Sequence, residues 1–548
     1  MRQLKTSFAV MLIFFMLKST VLFSCTVIVV GKDASSDGSV IISHTDCGDD
    51  CRIRVVEGQN FAPGTMAKVF WGIQDIDKPL DDFGEVLGEI PQVEKTYTYF
   101  HSAYSHMNEH QLAIAESTTS QRSDLCIKKG ESKQIMTVEQ AQIFALQRCK
   151  TAEEALTLIT SLMDKYGFLP SCADESETLV IADPNEAWVL ELCSVGPGWD
   201  PESKKPGAIW AAQRVPDDHA LMIPNWSIIK EIKIEDEKNF RASKNYKSFA
   251  IEKGWYNPKS GKPFIWQDVY APIPREWATG RFWLFYSTVA PNYTNWPDRY
   301  LNGNIYKGIN SYYQYVEPLS LYPFSLKPEK KISVQDVMGF QRSVFEGTIY
   351  DKTADPDWYV MDKKGNKVKS PLATPFPTKH MRALLDISRR RNVARPQGRY
   401  GMVAQLRSWL PAPIGGIYWV FLDNAHISAY APIYAGAQDV ADCYKLFDPD
   451  KFDEKSARWA IDFIDNLLYL NWQEGIKDVK AVRDPFEEKL FNERDEIDKK
   501  ALELYNENPE KAKKFLTNYT IKNMNTIHKM FSDLRGTLIV KYTNNRNN

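Results

Sequence analysis

Cys25 stands where an apolar leader gives way to the β-branched run Thr26-Val27-Ile28-Val29-Val30. If the chain is cut between Ser24 and Cys25, one residue carries both a thiol and a free α-amine. A thiolate attacks amide carbonyls readily. An α-amine titrates at roughly 7.7–8.0, close enough to neutrality to take the thiol proton and later return it to a leaving group. A second reading treats Leu22-Phe23-Ser24-Cys25 as a lipobox, in which Leu and Ser fit the pattern and Phe23 fits it poorly. Alkylation of the sulfur removes the nucleophile, so these two readings exclude each other. The third is a buried core thiol, the commonest fate of a single cysteine.

The elements around Cys25 decide what it can reach. Thr26 to Val30 is followed by Gly31-Lys32-Asp33-Ala34-Ser35-Ser36-Asp37-Gly38, a set of turn formers, and then by a second apolar run from Ser39 to Thr45. This predicts a β-hairpin whose return strand ends beside Cys25, bringing Asp46 close to its α-amine. Upstream, Arg2 and Lys5 precede the apolar stretch Phe8 to Leu17, which predicts a secretory signal over residues 1–24. That stretch is too short to span a bilayer, and no later one approaches about 18 uncharged apolar residues. Leu22 and Phe23 are bulky for a cleavage site. Export implies an oxidising compartment, where the cysteines at 25, 47, 51, 126, 149, 172, 193 and 443 are able to pair, with at least one thiol besides Cys25 left over. Cys47 and Cys51 suit a local disulfide or two thiols better than a metal site, since no second ligand pair follows at similar spacing.

With 68 Lys+Arg against 70 Asp+Glu and a net charge of -2, the chain of 548 residues carries no field that would draw it to nucleic acid. Strands are expected at 97–100, 112–115, 179–182, 187–191, 402–406, 416–422 and 427–433, and a helical pair over 137–162. Residues 59–91 read as irregular, and 235–335 resist ordering. From 453 onward the pattern turns to long charged helices, including 457–472 and 494–505, with Pro485 and Pro509 as punctuation.

Four ordered motifs then make a resemblance. Cys25 through Ser39, Met107-Asn108-Glu109-His110-Gln111-Leu112-Ala113-Ile114-Ala115, Trp210 through Asp218, and Gln405-Leu406-Arg407-Ser408-Trp409-Leu410-Pro411 with Pro413-Ile414-Gly415-Gly416 resemble the cysteine-type N-terminal nucleophile dipeptidases. That family is related to secernins, penicillin V acylases and bile salt hydrolases. The resemblance implies an α+β fold, an αββα sandwich of two stacked antiparallel sheets between helical layers, over residues 25–450. A helical C-terminal region over 451–548 would follow as a scaffold or a contact in a homo-oligomer. It implies a small peptide or amide substrate, no cofactor and no metal, no nucleic acid, and no membrane unless Cys25 is lipidated. The site carried over is Cys25 as nucleophile, Asp46 holding the α-amine and Asn225 binding the oxyanion. Ser117 or Thr118 falls where relatives carry a second polar donor. His44 follows Ser43 where relatives often carry an Arg-Asn pair, and Arg281 is a substitute cation. Arg214 and Asp217 read as a structural ion pair, and Gly415-Gly416 as a tight turn. The function implied is an exported dipeptidase, periplasmic or extracellular, working through an acyl-enzyme. The alternatives are an N-acyl amide hydrolase or a lipid-anchored surface protein without catalysis.

Overall fold

A computed structural model describes residues 25–543 except 47, 173–174, 272–275, 294–322, 349, 386 and 388–390. The leader over 1–24 lies outside the described residues. The chain opens with β1 (Thr26–Val30), β2 (Val40–Asp46) and β3 (Arg54–Val56), then a separate hairpin of β4 (Met66–Trp71) and β5 (Glu85–Pro91). Next come β6 (Tyr99–His101), β7 (Ser105–Asn108) and β8 (Ala113–Thr119), and the helices α1 (Val138–Arg148) and α2 (Ala152–Tyr166). Strands β9 (Ser176–Ala182), β10 (Ala187–Ser194), β11 (Ala208–Arg214), β12 (Ala220–Ile223) and β13 (Phe240–Ala242) precede α3 (Glu276–Val289) and α4 (Val334–Gln341). A small hairpin of β14 (Tyr359–Met361) and β15 (Lys367–Lys369) leads to β16 (Tyr400–Leu406), β17 (Gly416–Leu422) and β18 (Ala431–Tyr434). Helices α5 (Ala457–Leu468), α6 (Trp472–Glu507) and α7 (Pro509–Tyr542) finish the chain.

Two antiparallel sheets make the centre. One runs β12-β1-β2-β16-β17-β18 and the other β13-β11-β10-β9-β8-β7-β6-β3. They meet face to face where β1 and β2 pack on β8 and β9. Helices α1 and α2 cover the outer face of the larger sheet, while α3, α4, α5 and α7 pack against the smaller one. The result is the four-layer αββα arrangement. Because both faces of the smaller sheet are covered, β1, β2, β16 and β17 are buried at every position, so they read as continuous runs and not as alternating ones.

Local chemistry sets the boundaries. The side chains of Thr137 and Thr151 accept from the backbone N–H groups of Gln140 and Glu154 and start α1 and α2. The loop between β1 and β2 is clamped by close approach: a Cβ on Gly31 would lie 2.3 Å from the carbonyl oxygen of Asp217. The expected irregular stretch 59–91 contains the β4–β5 hairpin, whose first strand alternates exposed Met66 and Lys68 with buried Ala67 and Val69. The expected strand over 427–433 is shorter, because Asn424 first turns the chain by accepting from the N–H groups of Ile427 and Ser428. Pro485 does not punctuate the helices: it lies inside the 36 residues of α6. Such a proline costs about 3 kcal/mol in a helix interior. Its neighbours Arg483 and Glu487 anchor the helix there, Arg483 donating to the His426 carbonyl and Glu487 pairing with Arg342. Pro509, by contrast, opens α7 at a position where its missing N–H is harmless.

One hydrophobic cluster joins the sheets to the C-terminal helices, with Trp419 of β17 stacked on Phe491 of α6 at 4.7 Å. A buried ion pair fixes the same contact. Arg407 pairs with Asp498 of α6 and donates to the carbonyls of Ile414 and Gly415 at 2.7 and 2.9 Å, while the Tyr434 hydroxyl donates to Asp498 at 2.9 Å. Removing one partner leaves the other charge buried and uncompensated. Asp498→Ala is therefore expected to cost about 3–5 kcal/mol, read as a lowered midpoint of denaturant unfolding; an unchanged midpoint would show that the pair does not hold the helix.

Candidate active site

The β1–β2 register pairs Thr26 with Thr45, so Cys25 stands opposite Asp46. Its Sγ lies 3.8 Å from Asp46 Oδ1, and both residues are 4% exposed. His44 is two residues from Asp46 and therefore on the same face of β2, which packs on β8. From β8 comes Glu116, whose Oε2 is 3.3 Å from Cys25 Sγ and 3.6 Å from His44 Nε2. Thr118, on the same face of β8, donates its hydroxyl to Glu116 Oε1 at 3.1 Å. Across the ladder Thr118 pairs with Glu177 of β9, which places a second carboxyl beside Glu116.

The electrostatics follow from burial. Glu116 and Glu177 are wholly buried, and desolvation disfavours their charged forms. Glu116 is pushed up to about 7, with the neighbouring Asp46 charge adding to the rise. Glu177 is raised well above the usual carboxylate range, first by burial and then by Glu116. His44 is held well below its ordinary value by burial and by His106. Both rings are therefore neutral near pH 7. The hydrogen bonds assign the tautomers: His106 Nδ1 sits 3.0 Å from the Ile114 carbonyl and must donate to it, so His106 Nε2 accepts. That nitrogen is 3.1 Å from the Tyr400 hydroxyl and 3.4 Å from His44 Nδ1, which carries the proton. The other nitrogen of His44, Nε2, is then an acceptor facing Glu116.

Arg281, on α3 and wholly buried, gathers the second wall. It donates to the Cys25 carbonyl at 2.8 Å, the Thr26 hydroxyl at 2.7 Å, Asn225 Oδ1 at 3.2 Å and the Pro224 carbonyl. Asn225 follows β12 and adopts a left-handed backbone, φ 60°, which is uncommon for a residue with a side chain. Its N–H donates to Ser117 Oγ at 3.1 Å, and its Nδ2 donates to the Thr118 carbonyl at 3.0 Å. Arg391 also reaches Asn225 Oδ1, at 3.4 Å.

All seven residues expected from the sequence, Cys25, His44, Asp46, Ser117, Thr118, Asn225 and Arg281, thus meet in one buried cluster. Arg281 bonds the Cys25 carbonyl and the Thr26 hydroxyl, and so ties α3 to the start of β1 and to Asn225. Glu116 and Glu177 were missed. Glu116 carried a signal, as a lone carboxylate in phase with Ile114 along an apolar strand. The Gly415-Gly416 pair closes the tight turn between β16 and β17, the Gly415 N–H donating to the Pro411 carbonyl at 2.8 Å, and it also gives close approach: a Cβ on Gly415 would lie 2.3 Å from Gln111 Nε2. Arg214 pairs with Asp217 at 2.7 Å and Glu186 at 2.8 Å, as a structural ion pair. Among the described residues Cys51, Cys149, Cys172, Cys193 and Cys443 stand as thiols without a disulfide, while Cys47, the local partner expected for Cys51, lies outside them. Cys25 Sγ, a His44 ring nitrogen and an Asp46 carboxylate oxygen lie within 4.8 Å of one another, a donor set able to hold a soft divalent ion.

The raised Glu116 gives a signed prediction. Between the ordinary glutamate value of 4.5 and about 7 the folded chain keeps a proton that the unfolded chain releases. This contribution to stability is complete below 4.5 and is lost as pH rises through about 7. Thermal midpoints measured from pH 4.5 to 8 are expected to fall more steeply in the wild type than in Glu116→Gln; parallel curves would show that Glu116 does not titrate in this way.

The chain is similar over most of its length to proteins named as dipeptidases. It is 22% identical to a probable dipeptidase B of Streptococcus pyogenes serotype M1 over 464 residues, 82% of this chain and 79% of the relative. It is 24% identical to a probable dipeptidase of Latilactobacillus sakei over 459 residues, 80% and 79% of the two chains. A dipeptidase of Bifidobacterium longum is 22% identical over 464 residues, 80% and 75%. The model of one family, peptidase family C69, matches residues 24–484, which brackets every residue of the cluster built on Cys25, and the chain belongs to that family.

Proposed function

We propose that this protein is an exported cysteine dipeptidase whose mature N-terminus is Cys25. The observation that carries the reading is the position of Cys25 at the head of β1, with its sulfur 3.8 Å from Asp46 and its carbonyl held by Arg281. The dipeptidase names of the relatives support the substrate class. Loss of the leader gives Cys25 an α-amine beside the Asp46 carboxylate. That amine takes the thiol proton as Sγ attacks the scissile carbonyl carbon, and the C–O π electrons move to oxygen. Asn225 Nδ2 has two N–H groups, of which Thr118 takes one, and the second serves the oxyanion. Collapse breaks the C–N bond, the amine delivers its proton to the departing amino acid, and a thioester remains. Water, deprotonated by the same amine, then releases the first amino acid and restores the thiol.

Two experiments test this. Cys25→Ser is expected to lower dipeptide hydrolysis by ~10³-fold or more without unfolding the protein, and one extra residue retained before Cys25 does the same; full activity in either variant would sink the mechanism. Mass spectrometry of the mature protein is expected to find an unmodified Cys25 at its N-terminus. A diacylglyceryl adduct there would instead make the chain a lipid-anchored protein.

A further inference from the structure

A dipeptide brings a second amine into a site that already has one. If Asp46 holds the α-amine of Cys25, the substrate's own α-ammonium needs a separate partner, because a desolvated cation without one is expensive to bury. Geometry limits where that partner can be. The substrate nitrogen is two bonds from the scissile carbonyl carbon, about 2.5 Å away. That carbon must come within about 3–3.5 Å of Sγ. The ammonium therefore sits within about 6 Å of the sulfur, and Glu116 Oε2, at 3.3 Å from Sγ, lies well inside that sphere.

The buried acceptors around Glu116 are incomplete in the way an absent donor would explain. Among the described residues Glu177 has only its fellow carboxyl Glu116 as a hydrogen-bond partner, and His44 Nε2 has none, although all these atoms are buried. His44 Nε2 is aimed at Glu116 Oε2 from 3.6 Å and is the acceptor nitrogen of its ring. Buried polar groups are normally satisfied. An ammonium has three N–H donors in a compact head, and Glu116, Glu177 and His44 offer three acceptors beside the thiol.

Resting on the dipeptidase reading above, we infer that Glu116, backed by Glu177 and His44, receives the free α-ammonium of the substrate and so restricts cleavage to peptides whose scissile bond follows the first residue. Thr118 orients Glu116 from its far oxygen.

The test compares Ala-Ala with N-acetyl-Ala-Ala, which lacks the charge, on the processed enzyme at pH 7. The wild type is expected to prefer Ala-Ala in kcat/KM by about 100-fold or more. Glu116→Gln is expected to reduce that preference by about 30-fold, chiefly through KM for Ala-Ala, and Glu177→Gln to reduce it in the same direction. Circular dichroism monitors folding, and if Glu116→Gln does not fold, Glu177→Gln decides by the same ratio. A wild type that cleaves Ala-Ala, with variants that lose both substrates in parallel or keep the ratio, overturns the ammonium socket alone. A wild type that cleaves N-acetyl-Ala-Ala as well as Ala-Ala overturns the socket too. Failure to cleave Ala-Ala at all overturns the dipeptidase reading beneath it.

Discussion

Strand β1 is five residues long and has a neighbour on one side in β12 and on the other in β2, each antiparallel. The pairing of Thr26 with Thr45 is what sets Cys25 opposite Asp46. A slip of one residue would turn every side chain of the strand to the other face, exchanging Val27 and Val29 for Ile28 and Val30 and aiming the sulfur away from β8. Several contacts resist such a slip. The Ile28 N–H donates to Ser43 Oγ across the pair, Arg281 grips both Cys25 and Thr26, and Gly31 sits tight against Asp217. The geometry of the Cys25 cluster is thus inherited from sheet register, and the residues that enforce it lie far apart in sequence.

Placing the site between two sheets has an electrostatic cost. Glu116, Glu177, His44 and His106 are all withdrawn from water, and burial drives each toward its neutral form. A core built only for stability would carry apolar groups here. The strained backbone of Asn225 belongs to the same pattern, because its φ is kept by bonds to Ser117, Thr118, Arg281 and Arg391. Stability is recovered elsewhere, in the dense apolar packing and in the ion pairs that tie α6 to the sheet.

The first hairpin was legible because β-branched runs around an Asp-Gly turn leave few alternatives, and with it came the approach of Asp46 to Cys25. The motifs that carry the family resemblance proved to be mostly interlocks. Asn108 donates to the carbonyls of Leu146 and Cys149, and Gln111 bonds the backbone of Arg407 on both its N–H and its carbonyl. They identified the fold without naming the groups next to the sulfur. Glu116 and Glu177 were not legible as a pair, since strands β8 and β9 are separated by a helical hairpin and nothing local says which strands will be neighbours. Pro485 misled for a related reason: propensity argues for a break, while the ion pairs beside it are long-range and invisible in sequence.

Among the described residues strand β18 is the outer rim of the smaller sheet, and an unpaired rim is a template on which another chain can add a strand. Here the template is blunted twice. Pro432 has no N–H to offer, and the Thr520 hydroxyl of α7 occupies the Pro432 carbonyl at 3.2 Å. The C-terminal helix that packs across this strand therefore guards against edge-to-edge pairing, so that the sheet carrying Cys25 ends at that border.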